Sequence, residues 1–156
     1  MPANASIPAF DPLSISIAGT NLIEASAGTG KTYGIAALFT RLVVLEQMPV
    51  ESILTVTFTK AATAELKTRL RARLDEVLHA LESVEDTDNL SDDLEAYCRD
   101  NHPGDVFLTG LLKQALAQES RARLIVRLKA AIGQFDNAAI YTIHGFCQRI
   151  LRDYAF

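Results

Sequence analysis

Residues 21–47 read NLIEASAGTGKTYGIAALFTRLVVLEQ, and this stretch decides the fold. The apolar segment 21–25 is flanked by turn residues, which predicts a short buried strand. A glycine-rich loop follows, and residues 31–47 then have a helical period, with apolar side chains at Ile35, Leu38, Leu42 and Leu45. Pro49 ends that pattern. A strand that leads through a loop into a helix is typical of an α/β fold.

The loop ASAGTGKT (25–32) has the spacing of a Walker A phosphate loop, with alanine in place of the first glycine. Glycines at 28 and 30 let successive N–H groups turn toward phosphate oxygens, and the helix start adds its positive end. The motif therefore predicts a site for ATP and Mg²⁺ formed by Ala27, Gly28, Thr29, Gly30, Lys31 and Thr32. Lys31 is the predicted catalytic residue, since it reaches the β and γ phosphates, and Thr32 is the predicted Mg²⁺ ligand. The alternative is a glycine-rich turn with an incidental lysine.

The rest of the chain continues the alternation of strands and helices. Strands are predicted over 52–59 and 138–143, and helices over 60–82, from near 94, over 106–134 with interruptions near its glycines, and over 144–156. The acidic block 83–93 is interpreted as a loop, and NHPGD (101–105) as a turn. This order predicts a small parallel sheet of three strands joined by right-handed crossovers.

Composition excludes several classes of protein. The 156 residues are 49% apolar, which a disordered chain is not. Two cysteines, Cys98 and Cys147, are too few for a disulfide scaffold and lack metal-ligand spacing. We interpret them as reduced thiols in a cytoplasmic protein, with a periplasmic pair as the alternative. The first residues lack a secretory signal, and there is no apolar run of ~20 residues, so no membrane contact is predicted.

The charge is uneven along the chain. The net charge is −4, so a globally basic coat for nucleic acid is absent. Residues 60–73 have five basic side chains and one acidic, residues 82–105 have one basic and nine acidic, and residues 113–129 again have five and one. The stretch 60–73 is a candidate nucleic-acid contact, although its cluster of Lys67, Arg69, Arg71 and Arg73 also fits a solvated face. The stretch 113–129 fits a solvated face equally well.

Two further segments repeat one arrangement. TVTFTKAATAELKTRL (55–70) and IYTIHGFCQRIL (140–151) each put threonine, an aromatic residue and a helix start after a predicted strand. The carboxyl ends of parallel strands form the ligand-binding edge of open α/β sheets. Hydroxyl and helix-start N–H groups suit phosphodiester oxygens, and flat side chains suit unstacked bases. The flat candidates are Phe58, Tyr141, His144 and Phe146. The alternatives are core packing for the two phenylalanines and helix capping for Thr59, Thr142 and His144.

The three motifs resemble motifs I, Ia and Ib of superfamily 1A DNA helicases, the UvrD/Rep group. The wording LIEASAGTGKT, VTFTKAATAEL and TIHGFCQRIL is more specifically similar to the RecB family, the beta subunits of exodeoxyribonuclease V. The resemblance covers about residues 12–82 and 137–156. It implies a RecA-like P-loop NTPase fold, with motor residues 1–82 and 137–156 and a helical insertion over 83–136.

This resemblance also implies an ATP-driven 3′→5′ motor on single-stranded DNA within a helicase–exonuclease that repairs double-strand breaks by recombination. Its partners would be DNA ends and subunits similar to RecC and RecD. Carried over by motif, Phe58, Thr59 and Lys60 would contact DNA from motif Ia. Thr142, His144, Gly145 and Phe146 would do so from motif Ib.

The chain also departs from the family pattern. Residues 11–22 contain no glutamine to match the one that reads adenine in many relatives. The sole Asp-Glu pair, Asp75-Glu76, lies inside a predicted helix, so we expect the acidic Mg²⁺ motif beyond residue 156. The chain by itself is therefore expected to bind nucleotide weakly and to turn over no ATP. Two alternatives are a small P-loop kinase, with 113–129 as an arginine lid, and a non-catalytic module that binds a partner.

Overall fold

The computed structural model describes residues 9–24, 30–85 and 87–155. Within them the chain is an α/β structure of helices and a small parallel sheet, which confirms the predicted class. In chain order the elements are α1 (Lys31–Val44), β1 (Thr55–Thr57), α2 (Lys60–Ser83), α3 (Leu90–Asn101), α4 (Val106–Gln118), α5 (Arg121–Gly133), β2 (Ile140–Thr142) and α6 (Ile143–Tyr154). Short 3₁₀ turns precede each strand, at Val50–Ser52 and Phe135–Asn137.

The sheet joins two strands that are far apart in sequence. β1 and β2 pair in parallel, with Thr55 opposite Ile140 and Thr57 opposite Thr142. Because the strands are parallel and in register, both end at the same edge of the sheet. The helices α2 and α6 begin directly beyond those ends. This pairing therefore brings two predicted motifs together, although more than eighty residues separate them.

The first predicted strand is absent from the described residues. Residues 21–24 have no regular structure, Leu22 is 86% exposed, and Ala25 lies outside the described residues. A strand requires a ladder partner, and in the described part of the chain the ladder contains β1 and β2 alone. The prediction of a buried strand was therefore wrong for 21–24, and the observed sheet has two strands rather than three.

Helix α1 was located correctly, and its predicted stripe is partly confirmed, since Leu45 is buried and Leu42 packs against the core. Ile35, predicted on the buried stripe, is 43% exposed. The buried face carries small residues and one ring, at Gly34, Ala36, Ala37, Phe39, Thr40, Val43 and Val44. This face contacts α2, α4 and α5, and the Phe39 ring meets the Phe135 ring edge-on at 6.1 Å. Small side chains allow the helices to approach closely, so tertiary packing overrode the hydrophobic ranking of the residues.

Helix α2 is the centre of the core, and it was predicted well. Its predicted apolar stripe is buried at Leu66, Leu70, Leu74, Val77 and Leu81, with Leu78 partly buried. The Thr59 hydroxyl caps the helix by accepting from the Ala62 N–H at 3.1 Å. A capped 24-residue helix with a continuous apolar stripe packs on both α1 and α5.

The boundaries of the helical segment differ from the predicted ones. Helix α3 begins at Leu90, four residues before the predicted start. The break within 106–134 falls at Glu119 and Ser120, whereas Gly110 lies inside α4. A Cβ at Gly110 would lie 2.6 Å from a methyl group of Leu13, so the N-terminal segment approaches α4 there. The glycine therefore reflects a tertiary contact and not a helix end.

Two arginines of the basic stretch 113–129 hold other helices at their C-terminal ends. Arg121 donates to the carbonyls of Leu81 and Val84, at 2.8 and 2.6 Å. Arg127 donates to the carbonyls of Val43 and Val44, at 2.5 and 2.8 Å. The last carbonyls of a helix have no intrahelical partner, and a cation there also complements the helix dipole. These arginines are structural, which contradicts the hypothesis of an arginine lid.

Replacing Arg127 by alanine is expected to lower the free energy of unfolding by about 2 kcal/mol, because charged hydrogen bonds to the α1 carbonyls are lost. Urea denaturation followed by circular dichroism measures the change. Arg123→Ala is the matched control, since Arg123 is exposed on the same helix. Equal effects of the two substitutions would contradict the capping role.

Two further results concern the thiols and the helices of the described residues. Cys98 is buried and Cys147 exposed, and both are free thiols, as predicted. Among the described residues, no helix is both long and apolar enough to cross a membrane.

Candidate nucleotide and nucleic-acid site

The start of α1 is the part of the predicted phosphate site that the structure describes. Gly30 is the N-cap, with φ of +85°, a left-handed conformation that favours glycine. Gly30 makes no side-chain cap bond to the helix, and the first N–H groups of an α-helix have no intrahelical carbonyl partner. Lys31 and Thr32 are the first two helical residues. The predicted phosphate-loop residues Ala27, Gly28 and Thr29 lie outside the described residues.

The end of β1 exposes the predicted motif Ia residues. Phe58 follows the strand and is 87% exposed, which rules out the alternative of a core aromatic. The Thr59 hydroxyl caps α2, and Lys60 is its exposed first residue. The Thr57 and Thr63 hydroxyls are 2.6 Å apart, which ties the strand end to the first turn of α2. The fold thus holds Phe58 in solvent between a paired strand and a capped helix.

The end of β2 repeats this arrangement with the motif Ib residues. The Thr142 hydroxyl caps α6 by accepting from the Gly145 N–H at 3.0 Å. A Cβ at Gly145 would lie 3.1 Å from that hydroxyl oxygen, so a larger residue would crowd the cap. His144 is exposed in the first turn of α6. The alternative of capping by Thr59 and Thr142 is therefore observed. As at any helix start, the first N–H groups of both helices have no intrahelical partner.

Aromatic rings and a cation stack beside this edge. The Tyr141 and Phe146 rings are nearly parallel, with centroids 6.4 Å apart and 24° between their planes. The Arg149 guanidinium lies 5.4 Å from the Tyr141 centroid and donates to the Tyr141 hydroxyl. Phe146 is half-buried. Sequence reasoning missed Arg149, although its position one turn after Phe146 on the same helix face was a usable signal.

The parallel register places the two helix starts side by side. Thr57 is paired with Thr142, so Phe58 and Thr59 leave β1 next to the residues that leave β2. The structure therefore brings together all seven predicted DNA-contact residues on two adjacent segments. Helix α6 contacts both strands yet has no buried residue, so most of its surface remains accessible.

The basic stretch 60–73 does not form one positive surface, and its exposed pairs fit the alternative of a solvated face for Lys67 and Arg69. Lys67 lies 3.6 Å from Asp136, and Arg69 pairs with Glu65 at 2.7 Å, both on exposed side chains. Arg73 is only 9% exposed and lies in the core. Residues two positions apart on a helix lie on different faces. The basic residues that alternate along 67–73 therefore do not form one patch on the surface of α2.

Metal-binding chemistry is limited in the part of the chain that the structure describes. It contains no group of three or more His, Cys, Asp or Glu side chains placed to hold a metal ion. Thr32, half-buried in the first turn of α1, is thus the described residue predicted to ligate Mg²⁺. A single hydroxyl ligand fits Mg²⁺, which keeps several waters and takes phosphate oxygens as ligands.

A parallel sheet whose strand ends lead into helix starts defines an α/β domain with its ligand edge at those ends. Residues 11–156 match the model of the UvrD/REP helicase N-terminal domain, and the chain belongs to that helicase family. The resemblance recognised in the sequence is therefore confirmed.

Curated relatives refine the comparison. The chain is 41% identical over 154 residues to the RecBCD enzyme subunit RecB of Haemophilus influenzae, and 42% identical over 155 residues to that of Escherichia coli. Each alignment covers 94% of this chain, but 12% and 11% of the two relatives. The RecB of Mycolicibacterium smegmatis is 38% identical over 133 residues, which cover 85% of this chain. The chain thus spans about a tenth of the length of the relatives it matches.

Proposed function

We propose that this chain forms the N-terminal, ATP- and single-stranded-DNA-binding part of an ATP-dependent DNA helicase and exonuclease of the RecBCD type, acting in double-strand break repair by recombination. The observation that carries the proposal is the pairing of Thr57 with Thr142, which sets motif Ia beside motif Ib on one edge. Membership of the helicase family and similarity to RecB support it.

Nucleotide binding is assigned to the start of α1. The N–H groups of the first turn after Gly30 suit phosphate oxygens, and the helix dipole adds to their attraction for an anion. In this proposal Ala27, Gly28 and Thr29 complete the loop, Lys31 neutralises the β and γ phosphates, and Thr32 ligates Mg²⁺. ATP supplies the phosphoryl bond whose cleavage drives the motor. The proposed fold is that of a RecA-like P-loop NTPase.

DNA binding is assigned to the shared edge of β1 and β2. Thr59, Lys60, Thr142 and Gly145 offer hydroxyl, ammonium and N–H donors for the phosphodiester backbone. Phe58, His144 and Phe146 offer faces on which unstacked bases pack, and Phe58 is 87% exposed. The Arg149 guanidinium beside Tyr141 adds a positive charge at the same edge.

The proposed division has motor residues 1–82 and 137–156, and a helical insertion over 83–136. Helix α5 of the insertion packs along α2, and Arg121 holds the C-terminal end of α2. The proposed insertion therefore contacts the motor part through α2, the longest helix of the motor part. In the intact assembly the proposed partners are DNA ends and subunits similar to RecC and RecD.

Substitution of Phe58 by alanine tests the DNA assignment. We expect the affinity of the chain for a fluorescent oligothymidine to fall about tenfold, because one stacked base contributes ~1–3 kcal/mol. Fluorescence anisotropy at low salt measures the dissociation constant. Val126→Ala is the matched control, since Val126 is also an exposed apolar residue but lies on α5. Wild-type affinity in Phe58→Ala, or an equal loss in both variants, would contradict the assignment.

A further inference from the structure

Arg73 is the one charged residue that is buried in the described part of the chain. It lies on α2, and its Nη1 is 2.5 Å from an Asp105 carboxylate oxygen and 2.7 Å from one of Glu76. A buried charge is expensive unless it is paired, and this arginine has two carboxylates for one guanidinium. The ion pair to Asp105 joins α2 to the start of α4.

Two aromatic rings lie over the same guanidinium. Its carbon is 5.7 Å from the centroid of Tyr33 on α1 and 5.3 Å from that of Phe107 on α4. The Arg73 Nε and Nη2 atoms are buried and have no hydrogen-bond partner among the described residues. The two rings attract the guanidinium by cation–π interaction but do not supply hydrogen-bond acceptors for these atoms. Arg73 is therefore the meeting point of three helices.

Asp105 is held rigidly at the turn between α3 and α4. Its side chain caps α4 by accepting from the Leu108 N–H at 2.9 Å, and it also accepts from the Tyr33 hydroxyl at 3.5 Å. Gly104 precedes it with φ of +84°, a conformation that a side chain would strain. Burial and the adjacent Asp105 carboxylate raise the pKa of the Tyr33 phenol above its ordinary value.

Tyr33 lies two residues after Lys31, in the first turn of α1. The contacts of Tyr33 with Arg73 and Asp105 therefore reach the turn of α1 that carries Lys31 and Thr32. We propose that the Arg73–Asp105 pair is a positioning device that fixes Tyr33, and through it the first turn of α1, so that the α3–α4 turn controls how tightly nucleotide is held. This inference rests on the proposed nucleotide site. Arg73, Asp105 and Tyr33 would act through Lys31 and Thr32 and would not touch the nucleotide.

Asp105→Asn is the sharpest test, because asparagine keeps the shape and the helix cap but removes the charge. We expect the affinity for MgATP, measured by calorimetry, to fall about fivefold, the lower end of coupling between sites. Amide hydrogen exchange at residues 34–37, measured without nucleotide, should become faster. Affinity for oligothymidine should stay unchanged, which a general loss of structure would not allow.

Two more variants complete the experiment. Glu82→Gln is the control. Glu82 of α2 and Lys129 of α5 form a solvent-exposed ion pair at 2.7 Å, so this substitution should alter neither the exchange nor the MgATP affinity. Tyr33→Phe removes only the hydroxyl, keeps the ring over Arg73, and should give a smaller change in the same direction. It also serves if Asp105→Asn fails to fold.

Three results would overturn the inference. One is unchanged exchange at 34–37 in Asp105→Asn and in Tyr33→Phe. Another is faster exchange with unchanged MgATP affinity. The third is an equal loss of affinity in Glu82→Gln. If the wild-type chain binds no MgATP, the proposed function fails, and the inferred control of nucleotide affinity fails with it. If Lys31→Ala loses MgATP binding while Asp105→Asn and Tyr33→Phe keep it, the proposed function stands and the inference is wrong.

Discussion

Replacing Lys31 by alanine is expected to lower the affinity for MgATP about a hundredfold. The reason is the loss of charge-assisted hydrogen bonds from one ammonium group to two phosphates, each contributing about 1.5–3 kcal/mol. The N–H groups behind Gly30 remain, so weak binding should survive through the helix end. Calorimetry with magnesium and ATP measures the change.

Lys129→Ala is the control for this substitution. Lys129 carries the same charge, is exposed on α5, and pairs with Glu82 away from the start of α1. It should bind MgATP as the wild type does. ATP turnover or undiminished nucleotide binding in Lys31→Ala would mean that the phosphate-loop assignment is wrong, whatever the DNA affinity.

Replacing Arg73 by alanine is expected to lower the free energy of unfolding by about 3 kcal/mol, because it leaves the half-buried Asp105 carboxylate without its cation. Asp105 and Glu76 would lose their shared cation, and the rings of Tyr33 and Phe107 would face a cavity. Urea denaturation followed by circular dichroism measures the loss. Arg71→Ala, two residues away on the exposed face of α2, should change stability by less than about 0.5 kcal/mol.

Because Arg73 pairs with a titratable carboxylate, the loss of stability in Arg73→Ala is also expected to depend on pH. Burial alone would raise the pKa of the Asp105 carboxyl, but the hydrogen bonds from Arg73 and from the Leu108 N–H outweigh it and lower that pKa. Stability from the pair is thus present above the unfolded pKa of about 3.9 and is lost as pH falls through the lower folded value. The difference in stability between the wild type and Arg73→Ala should therefore shrink as the pH falls below ~4. A difference that persists undiminished in strong acid would contradict the ion pair as its source.

Local rules were enough to predict much of the fold. The helix α2, its apolar stripe and its Thr59 cap follow from periodicity and from hydroxyl chemistry at one helix end. The turn at 101–105 follows from Pro103 and Gly104. The helicase resemblance rested on contiguous motifs, which are read directly from neighbouring residues. Each of these depends on interactions within a few positions of the chain.

Charge and exposure could not be predicted in the same way. Arg69 and Arg73 lie four residues apart on one helix, yet Arg69 is in solvent and Arg73 is in the core with Asp105. Arg127 belongs to a basic run in the sequence, but in the fold its guanidinium donates to the carbonyls of Val43 and Val44. Asp105 beside Arg73, and the Val43 and Val44 carbonyls beside Arg127, come from segments more than 30 residues distant.

The sequence by itself determined the helices, their threonine caps and the motifs at the strand ends, because these depend on local periodicity and side-chain chemistry. The tertiary structure alone decided that Phe58 is exposed, that Ile35 is turned away from the core, and that residues 21–24 form no strand among the described residues. Those outcomes depend on which segments pack against one another. Burial is a property of the assembled neighbours, and a residue's own hydrophobicity does not specify them.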